Sequence, residues 1–494
     1  MEKKNLSKYL ILIVFSLILL LAGCKKPVAN NDFELTILSI NDFHGQLEST
    51  DNGAGAARIA EFIESKRSDN PEYTVLLSAG DTFQGTGISN IGFGKDVIEF
   101  MNMVDFDAMA IGNHEFDWGL DTVLAYRDGN IENGEAEFPF VNSNIRQKST
   151  GERPDYIDEY TIIERNNVKI AVVSYLGPDQ TGDIATKMVE DYEFLHPIEI
   201  IRDNVRKART VDNADFVIVC CHDDTAGFTN LLATGEGDYE VDAIINAHSH
   251  NLYNKRAYRT HDETYVPIIQ SGSSGEYVGV TTLKIDGDTK EVVDATVVNE
   301  RMSKAKPEDE EVKSFVTALQ EEYEPIFGRE LCVAGSDVSR NSGTNWAVRA
   351  LYEYSLREFG ECDIAFINTG GIRKNAFPIS KGTKVTVQHV YKIMPFDNTV
   401  KTTKMLGKDV LNALKITEAV YAGNVSIENG KYLINGVAIK DDQYYNVVAI
   451  DYIFDKTEYS FKNGIETVST GILFRDVLIR ELEIINENNE QWLG

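Results

Sequence analysis

Residues able to hold metal ions recur at five places in the sequence, each directly after a short apolar run. Their types are aspartate, asparagine and histidine, which offer oxygen and imidazole ligands and favour Mn²⁺, Zn²⁺ or Fe over thiolate-bound metals. The candidates are Asp42, His44, Asp81, Asn113, His222, His248 and His250. This set is larger than one ion requires and is typical of two divalent cations that share a carboxylate.

The apolar runs before these residues are interpreted as buried strands, with amphipathic helices between some of them. Predicted strands cover 34–40, 74–78, 108–111, 168–175, 216–221 and 243–246, predicted helices cover 56–67 and 97–103, and a closing β section covers 280–285 and 292–298. The alternation predicts a layered α/β domain. Because ligands of open α/β sheets bind at the carboxyl ends of the strands, we expect one shared rim.

The length of 494 residues favours two or three domains. A Glu-rich amphipathic segment begins after Pro307 and ends before Gly328. Proline at the start and glycine after the end are typical of a helix. We therefore expect a first domain at 33–303, a linking helix at 304–329 and a second, mixed α/β domain at 330–494. In the second domain, helices are predicted at 346–359, 385–393 and 408–418, and strands at 364–367 and 445–451.

The formal net charge of −30 argues against nucleic-acid polymers as partners, since their phosphates need a basic surface. The negative charge does not argue against a small anionic substrate. No C-x-x-C pair is present, so a thiolate zinc site has no support. Buried free thiols are expected, with a Cys332–Cys362 bridge as the alternative, at Cys220, Cys221, Cys332 and Cys362.

The N-terminus carries a secretory signal pattern: three lysines, an apolar run at 9–21, and Leu-Ala-Gly before Cys24. The last four residues resemble the bacterial lipobox. This implies a signal peptide at 1–23, lipidation of Cys24, a tether at 24–32, and a place on the outer face of a bacterial membrane in the cell envelope. The alternative is an uncleaved membrane anchor, which also places the rest of the chain outside the cytoplasm.

Four segments resemble the signature set of the calcineurin-like metallophosphoesterases: Asn-Asp-Phe-His-Gly at 41–45, Ala-Gly-Asp-Thr-Phe-Gln-Gly-Thr at 79–86, Gly-Asn-His-Glu-Phe-Asp at 112–117 and His-Ser-His at 248–250. More narrowly, the chain is similar to the 5′-nucleotidase family. The resemblance implies a four-layer β-sandwich flanked by helices, followed by a C-terminal substrate domain. It also implies two metal ions, one held by Asp42, His44, Asp81 and His250, the other by Asp81, Asn113, His222 and His248.

The resemblance further implies the chemistry. A water between the metals would become hydroxide near neutral pH and attack phosphorus in line. His114 and Asp117 resemble the family's catalytic dyad: protonated His114 would stabilise developing charge, and Asp117 would orient His114 and keep it protonated.

Segments 368–373 and 394–398 resemble the family's substrate motifs. The implied substrate-binding residues are Arg340, Asn368, Gly371, Arg373, Phe396, Asn398, Tyr452 and Glu458. The two arginines would contact phosphate, Phe396 and Tyr452 would stack on the base, and Asn398 would bond the base edge. Glu458 would replace an aspartate that contacts ribose.

Three places depart from the family pattern: Asp223-Asp224 follow His222, Asn246-Ala247 precede His-Ser-His, and Lys456-Thr457-Glu458 replace a Gly-Gly-Asp turn. The favoured interpretation is a nucleoside 5′-monophosphate phosphatase. The alternative that uses the same metal ligands and catalytic pair is hydrolysis of 2′,3′-cyclic nucleotides or nucleotide sugars. A metal-containing surface binding protein without turnover is the alternative from another class.

Overall fold

The computed structural model describes residues 31–50, 53–454 and 456–494. The predicted signal peptide, Cys24 and the tether up to residue 30 lie outside these residues. In the part of the chain that is described, no helix has the length and apolar character needed to cross a membrane.

Two large sheets form the frame of the N-terminal half, beside a small sheet of Ile145–Gln147 and Tyr192–Phe194. The first has seven strands, in the order Val292–Arg301, Tyr277–Ile285, Phe33–Ile40, Thr74–Ser78, Ala108–Ala110, Phe140–Val141 and Ile157–Asp158. The second has six, in the order Leu252–Arg259, Thr264–Ser271, Ala243–Asn246, Phe216–His222, Val168–Leu176 and Tyr160–Arg165. The central strands of both sheets are parallel. Antiparallel strands lie at both edges of the second sheet and at the Val292–Arg301 edge of the first, whose other edge strand, Ile157–Asp158, is parallel.

The two sheets pack face to face around a core of alternate strand residues, among them Ile37, Val75, Val172 and Ile218. Burial of nearly every residue in the central strands explains why they appear in the sequence as continuous apolar runs. Helices cover both outer faces: Ala56–Asp69 and Lys95–Met103 on the first sheet, Pro197–Thr210 and Ala226–Ala233 on the second. The predicted four-layer sandwich is therefore confirmed.

A helix at Glu310–Phe327 connects this sandwich to the C-terminal half. Asp309 caps its first turn by accepting a hydrogen bond from the backbone N–H of Val312. At its other end the ring of Phe327 packs against Gly87, where an added Cβ would lie 2.8 Å from the ring. The helix is confirmed, while the domain boundaries at 304 and 329 stay a prediction.

The C-terminal half is built on a five-stranded sheet in the order Ala419–Gly423, Ile364–Asn368, Tyr444–Ile450, Thr399–Leu406 and Ile465–Leu473. Its helices are Arg340–Phe359, Val387–Ile393, Gly407–Ala413, Asp451–Phe454 and Phe474–Glu487. Smaller sheets pair Glu330–Val333 with Lys384–Thr386, and Val425–Glu428 with Lys431–Ile434 and Val437–Ala438. Mixed α/β architecture is thus confirmed here as well.

Several predicted elements of this half were wrong in part. The helix predicted at 385–393 begins only at Val387, because residues 384–386 pair with the strand Glu330–Val333. The helix predicted at 408–418 ends at Ala413, and Asp451, predicted as strand, begins a short helix. The helix predicted at 346–359 begins earlier, at Arg340, where Ser339 and Ser342 form a capping box. The four cysteines of the described residues are buried free thiols, as expected.

Candidate active site

The structure brings all seven predicted metal ligands to one rim of the sandwich. The first sheet supplies Asp42, His44, Asp81 and Asn113 from the carboxyl ends of three adjacent parallel strands. The second sheet supplies His222, His248 and His250 from the carboxyl ends of two adjacent parallel strands. The rim expected from the sequence therefore exists, and it is shared by both sheets.

Five of these seven residues have a left-handed backbone, with φ between 50° and 76°: Asp42, His44, Asp81, His248 and His250. This conformation costs a residue with a Cβ about 1–2 kcal/mol. Such strain persists only where the surrounding structure imposes it, and it concentrates at functional sites. Three of the five ligand-bearing strands thus end in a sharp backbone turn that directs the polar side chain into the rim.

The first cluster consists of Asp42, His44 and His250. The Nε2 atoms of the two histidines lie 3.0 Å apart, and His250 Nε2 lies 3.5 Å from Asp42 Oδ1. His44 Nδ1 lies 2.9 Å from the carbonyl oxygen of Gln84, so its proton resides on that side and Nε2 is free to accept. Two imidazole lone pairs that converge with a carboxylate form a natural cation site.

The second cluster consists of Asp81, His222 and His248, with Asn113 between the histidines. His222 Nε2 lies 3.2 Å from Asp81 Oδ2 and 3.1 Å from Asn113 Oδ1. His248 Nδ1 lies 2.9 Å from the same amide oxygen. The four side chains converge on one point, and their assignment to a second ion stays a prediction.

The electrostatics of the rim fit divalent cations. Asp42 is fully buried, and burial together with Asp81 raises its pKa. Burial lowers the pKa of His44 well below its usual value, and burial with the nearby Arg373 lowers the pKa of His250 to about 4, so both are neutral and able to ligate. Burial opposes protonation of His222, yet Asp81 raises the pKa of His222 to about 10. A proton shared by a buried carboxylate and an imidazole occupies the place that a metal ion takes.

His114 and Asp117 form the predicted pair beside the second cluster. His114 Nδ1 lies 2.8 Å from Asp117 Oδ2, and Nε2 faces Asp81 Oδ2 at 4.0 Å. Burial lowers the pKa of His114, but Asp117 and Asp81 outweigh it and raise the pKa above its usual value. The imidazolium is therefore held with one N–H on Asp117 and the other directed at the rim.

Glu115, which the sequence analysis did not single out, fastens two of the strand ends together. Its buried carboxylate accepts hydrogen bonds from the backbone N–H groups of Asp81 (2.9 Å), Thr82 (2.8 Å) and Gly112 (2.7 Å). Its position inside the Gly-Asn-His-Glu segment was the one feature of the sequence that could have indicated a role. Without the backbone geometry, however, an acid beside metal ligands is interpreted as a further ligand or as a surface charge.

An open cleft of about 1060 Å³ joins the rim to the C-terminal half. From the rim it is lined by Asp81, Asn113, His114, Asp117, His248 and His250, and from the C-terminal half by the predicted Asn368, Gly371, Arg373, Phe396, Asn398 and Tyr452. Further lining residues that the sequence analysis missed are Asp183, Ala185, Met188, Gly370, Asp397 and Asp451. Gly370 and Asp397 lie inside the substrate motifs at 368–373 and 394–398 but were not assigned a role, whereas only the folded chain places Asp183, Ala185 and Met188 here.

Two polar atoms in the cleft are buried and lack a hydrogen-bond partner within the described residues: Nη2 of Arg373 and Oδ1 of Asn368. An unpaired guanidinium donor is costly to bury, and such groups in native structures call for a ligand. The guanidinium of Arg373 also lies over the ring of Phe396, 4.6 Å from its centroid. A donor for an anion and an aromatic face are thus adjacent in one cleft.

Two predicted substrate residues do not reach the cleft. Arg340 donates hydrogen bonds to the carbonyl oxygens of Ile372 (3.0 Å) and Thr369 (2.7 Å), so it braces the turn that precedes Arg373. Glu458 is exposed in a short helical turn at Thr457–Tyr459 and is not among the lining residues. Their roles in substrate binding stay predictions.

The departure at Asp223 has a structural explanation. Asp223 is fully buried, and its carboxylate accepts hydrogen bonds from Thr225 N (2.9 Å), Thr225 Oγ1 (2.7 Å) and Tyr175 Oη (3.2 Å). The side chain of Asp224 accepts one from Asn251. Both acids are engaged with local partners beside the rim.

The family models match both halves of the chain. The calcineurin-like phosphoesterase model matches residues 35–252, and the 5′-nucleotidase C-terminal domain model matches residues 330–462. Relatives include a snake venom 5′-nucleotidase from Crotalus adamanteus, 26% identical over 432 residues that cover 78% of this chain and 71% of the relative. A 5′-nucleotidase from Vibrio vulnificus is 25% identical over 498 residues, covering 87% of each chain.

The fold agrees with these matches. The crystal structure of a 5′-nucleotidase precursor from Thermus thermophilus superposes with a TM-score of 0.76 at 23% identity, covering 92% of this chain and 97% of the other. The two family models follow each other along the chain in the same order as the two halves of the structure. This chain therefore belongs to the 5′-nucleotidase family of calcineurin-like phosphoesterases and is a phosphoester hydrolase.

Proposed function

We propose that the protein releases phosphate from nucleoside 5′-monophosphates with the aid of two divalent ions, Mn²⁺ or Zn²⁺. The observation that carries the proposal is the unpaired Nη2 of Arg373, which lines one cleft together with both ligand clusters and the aromatic Phe396. An anion held by Arg373 would lie beside the clusters, and a ring attached to that anion would meet Phe396. A nucleoside monophosphate has both parts.

Asp42, His44 and His250 would hold one ion, and Asn113, His222 and His248 the other, with Asp81 shared between them. When bound, such ions lower the pKa of a coordinated water and offset charge on a phosphoryl group. His114, protonated and oriented by Asp117, would donate its remaining N–H to the phosphoryl oxygens as charge develops on them. Arg373 would hold the same group with its planar fork.

The nucleoside would be recognised by Phe396 and Tyr452, which both line the cleft. Aromatic stacking is worth about 1–3 kcal/mol per base and tolerates every base. Asn398 donates a hydrogen bond to Asp451 Oδ1 (3.1 Å), an arrangement that fixes the amide and leaves its oxygen for a base edge. These roles support binding of a nucleotide over a simple phosphate ester.

Hydrolysis of 2′,3′-cyclic nucleotides is a second candidate, because of Lys456. Its Nζ lies over the ring of Tyr452, 4.6 Å from the centroid, and so adds a cation at the nucleoside end of the cleft. The phosphate of a 2′,3′-cyclic nucleotide, which sits on the ribose ring itself, would gain from this cation. The same assay decides between the two substrate classes.

The test is chromatographic analysis of the products formed with Mn²⁺, before and after chelation, from AMP and in parallel from 2′,3′-cyclic AMP and a nucleotide sugar. Rapid release of adenosine and phosphate from AMP that stops on chelation is the expected result. Formation of 2′- or 3′-AMP from the cyclic nucleotide, with AMP itself left intact, would favour the second candidate. No release from any of them, with bound metal still present, would favour a surface binding protein.

We further propose that Cys24 is lipidated and holds the enzyme on the outer face of a bacterial membrane, as the lipobox-like Leu-Ala-Gly-Cys at 21–24 suggests. The test is radioactive palmitate incorporation into the wild-type chain and into Cys24→Ser. Label in the wild type alone, with the variant released from the membrane fraction, is the expected outcome. Equal labelling of both would contradict lipidation at this residue.

A further inference from the structure

A carboxylate on the wall of the cleft faces one of the predicted metal ligands from outside the cluster. Asp183 Oδ2 lies 3.4 Å from His248 Nε2, whereas His248 Nδ1 points into the cluster, 2.9 Å from Asn113 Oδ1. The two ring nitrogens of His248 therefore have different partners on opposite sides. We propose that Asp183 is a positioning residue that holds the proton of His248 on Nε2 and turns the Nδ1 lone pair towards the metal.

The chemistry of a histidine ligand requires such a partner. Only the unprotonated ring nitrogen can bind a metal, and a hydrogen bond accepted from the other nitrogen fixes both the tautomer and the orientation of the ring. His44 and His222 are fixed in this way by backbone oxygens, those of Gln84 (2.9 Å) and Ala79 (2.8 Å). For His248 the corresponding acceptor is the side-chain carboxylate of Asp183.

Asp183 is held in place although its side chain is 56% exposed. It ends a short 3₁₀ helix at Asp179–Asp183, in which Gln180 is buried and its Nε2 lies 3.4 Å from Asp223 Oδ1. Gly177, just before this helix, donates a backbone hydrogen bond to the carbonyl oxygen of His222 (3.1 Å). The segment that carries Asp183 is thus tied to the strand end that carries His222.

The packing leaves little freedom where this segment leaves its strand. A Cβ added at Gly177 would lie 2.1 Å from Gln180 Oε1 and 2.9 Å from Asp223 Cγ. The buried Asp223, which departs from the family pattern, therefore anchors the support of Asp183. Asp223 would therefore support the metal centre through Gln180 and Asp183, without direct contact with the metal.

The experiment is a Co²⁺ titration of the purified metal-free protein, followed by visible absorption, for the wild type, Asp183→Ala and Asp183→Glu. Removal of such an outer partner typically lowers metal affinity by about 10- to 100-fold. We expect Asp183→Ala to weaken one of two Co²⁺ binding events by this factor and to change its spectrum, with the other event unaltered. Asp183→Glu restores the carboxylate and should recover most of the affinity.

Asp179→Ala is the matched control, because Asp179 is an exposed acid of the same 3₁₀ helix and does not line the cleft. It should titrate as the wild type does. The inference rests on the proposed metal-dependent function, and the wild-type titration separates the two. Absence of Co²⁺ binding in the wild type would overturn both, whereas normal wild-type binding with unchanged affinity and spectrum in Asp183→Ala would overturn the inference alone.

Discussion

The ring of Phe396, from the C-terminal half, lies against the ring of His114, from the N-terminal half, with centroids 5.7 Å apart and an interplanar angle of 26°. Asn90 reinforces the contact by donating a hydrogen bond across the same boundary to the carbonyl oxygen of Pro395 (2.6 Å). The residue proposed to stack on the base and the residue proposed to act on the phosphate thus touch each other. We expect binding and chemistry to be coupled through this contact.

Replacement of Phe396 by alanine should raise KM for AMP. Loss of one stacking face costs about 1–3 kcal/mol, which is roughly a 5- to 150-fold change. KM for ribose 5-phosphate, which has no base, should stay near that of the wild type. Phe396→Tyr, which keeps the ring, is the control. An equal loss on both substrates would contradict base stacking and would show that Phe396 acts only through His114.

Replacement of His114 by alanine should reduce kcat for AMP by about 100- to 10,000-fold, the usual contribution of a positioned proton donor. Metal content should not change, because His114 is outside both ligand clusters. His196→Ala, at an exposed histidine that neither lines the cleft nor belongs to a candidate ligand group of the described residues, is the matched control. Metal analysis and phosphate release on the same samples provide the measurement, and a variant that loses its metal would argue for a ligand role instead.

Metal removal should lower the melting temperature, because it takes the divalent counter-cations away from the buried carboxylates of Asp42 and Asp81. At a free Mn²⁺ concentration one hundred times Kd, binding adds about 2.7 kcal/mol to the free energy of unfolding. Asp42→Asn removes one buried charge, so its metal-free form should be at least as stable as the metal-free wild type. Its gain on addition of Mn²⁺ should be smaller, and an undiminished gain would exclude Asp42 as a ligand.

The capping box at the helix Val387–Ile393 should make stability depend on pH through His389. Its Nδ1 accepts a hydrogen bond from the backbone N–H of Thr386 (3.1 Å), which requires the neutral ring, and burial lowers its pKa below the ordinary 6.5. A depressed histidine pKa means that the unfolded chain takes up the proton first. The stability contributed by neutral His389 is therefore full above pH 6.5 and falls as the pH drops below it.

Gln at this position can form the same capping box without a titration. Urea unfolding of the wild type and of His389→Gln at pH 7.5 and pH 5.5 checks the prediction. The free energy of unfolding of the wild type should fall more than that of the variant, since the other histidines contribute equally to both. Parallel losses in the two proteins would show that His389 is not the group responsible.

The strands that carry the metal ligands could be predicted closely, because burial on both faces makes them continuous apolar runs. Phe216–His222 and Ala243–Asn246 differ by a residue or less from their predicted bounds. In the C-terminal half, residues 384–386 were misassigned because their pairing partner lies more than fifty residues earlier in the chain, at Glu330–Val333. Local periodicity carries no information about such a partner.

The candidate site divides in the same way. Short segments with fixed spacing, such as 41–45 and 112–117, marked the residues that the strand ends bring together. Asp183, Glu115 and Asp223 were missed or misjudged, since their contacts are with backbone groups or with side chains distant in sequence. For Arg340 the sequence context predicts contact with phosphate, and the structure adds that its guanidinium donates hydrogen bonds to two backbone carbonyls.

The order in which the ligands occur along the chain has a consequence for biosynthesis. The cluster of Asp42 and His44 lacks its third member until His250 has been made, and the cluster of Asp81 lacks His248 until nearly the same moment. Neither cluster is complete in any shorter N-terminal fragment. A nascent chain can therefore present only partial ligand sets. We expect the bound metal to be selected after the sandwich has assembled, in the compartment where folding finishes.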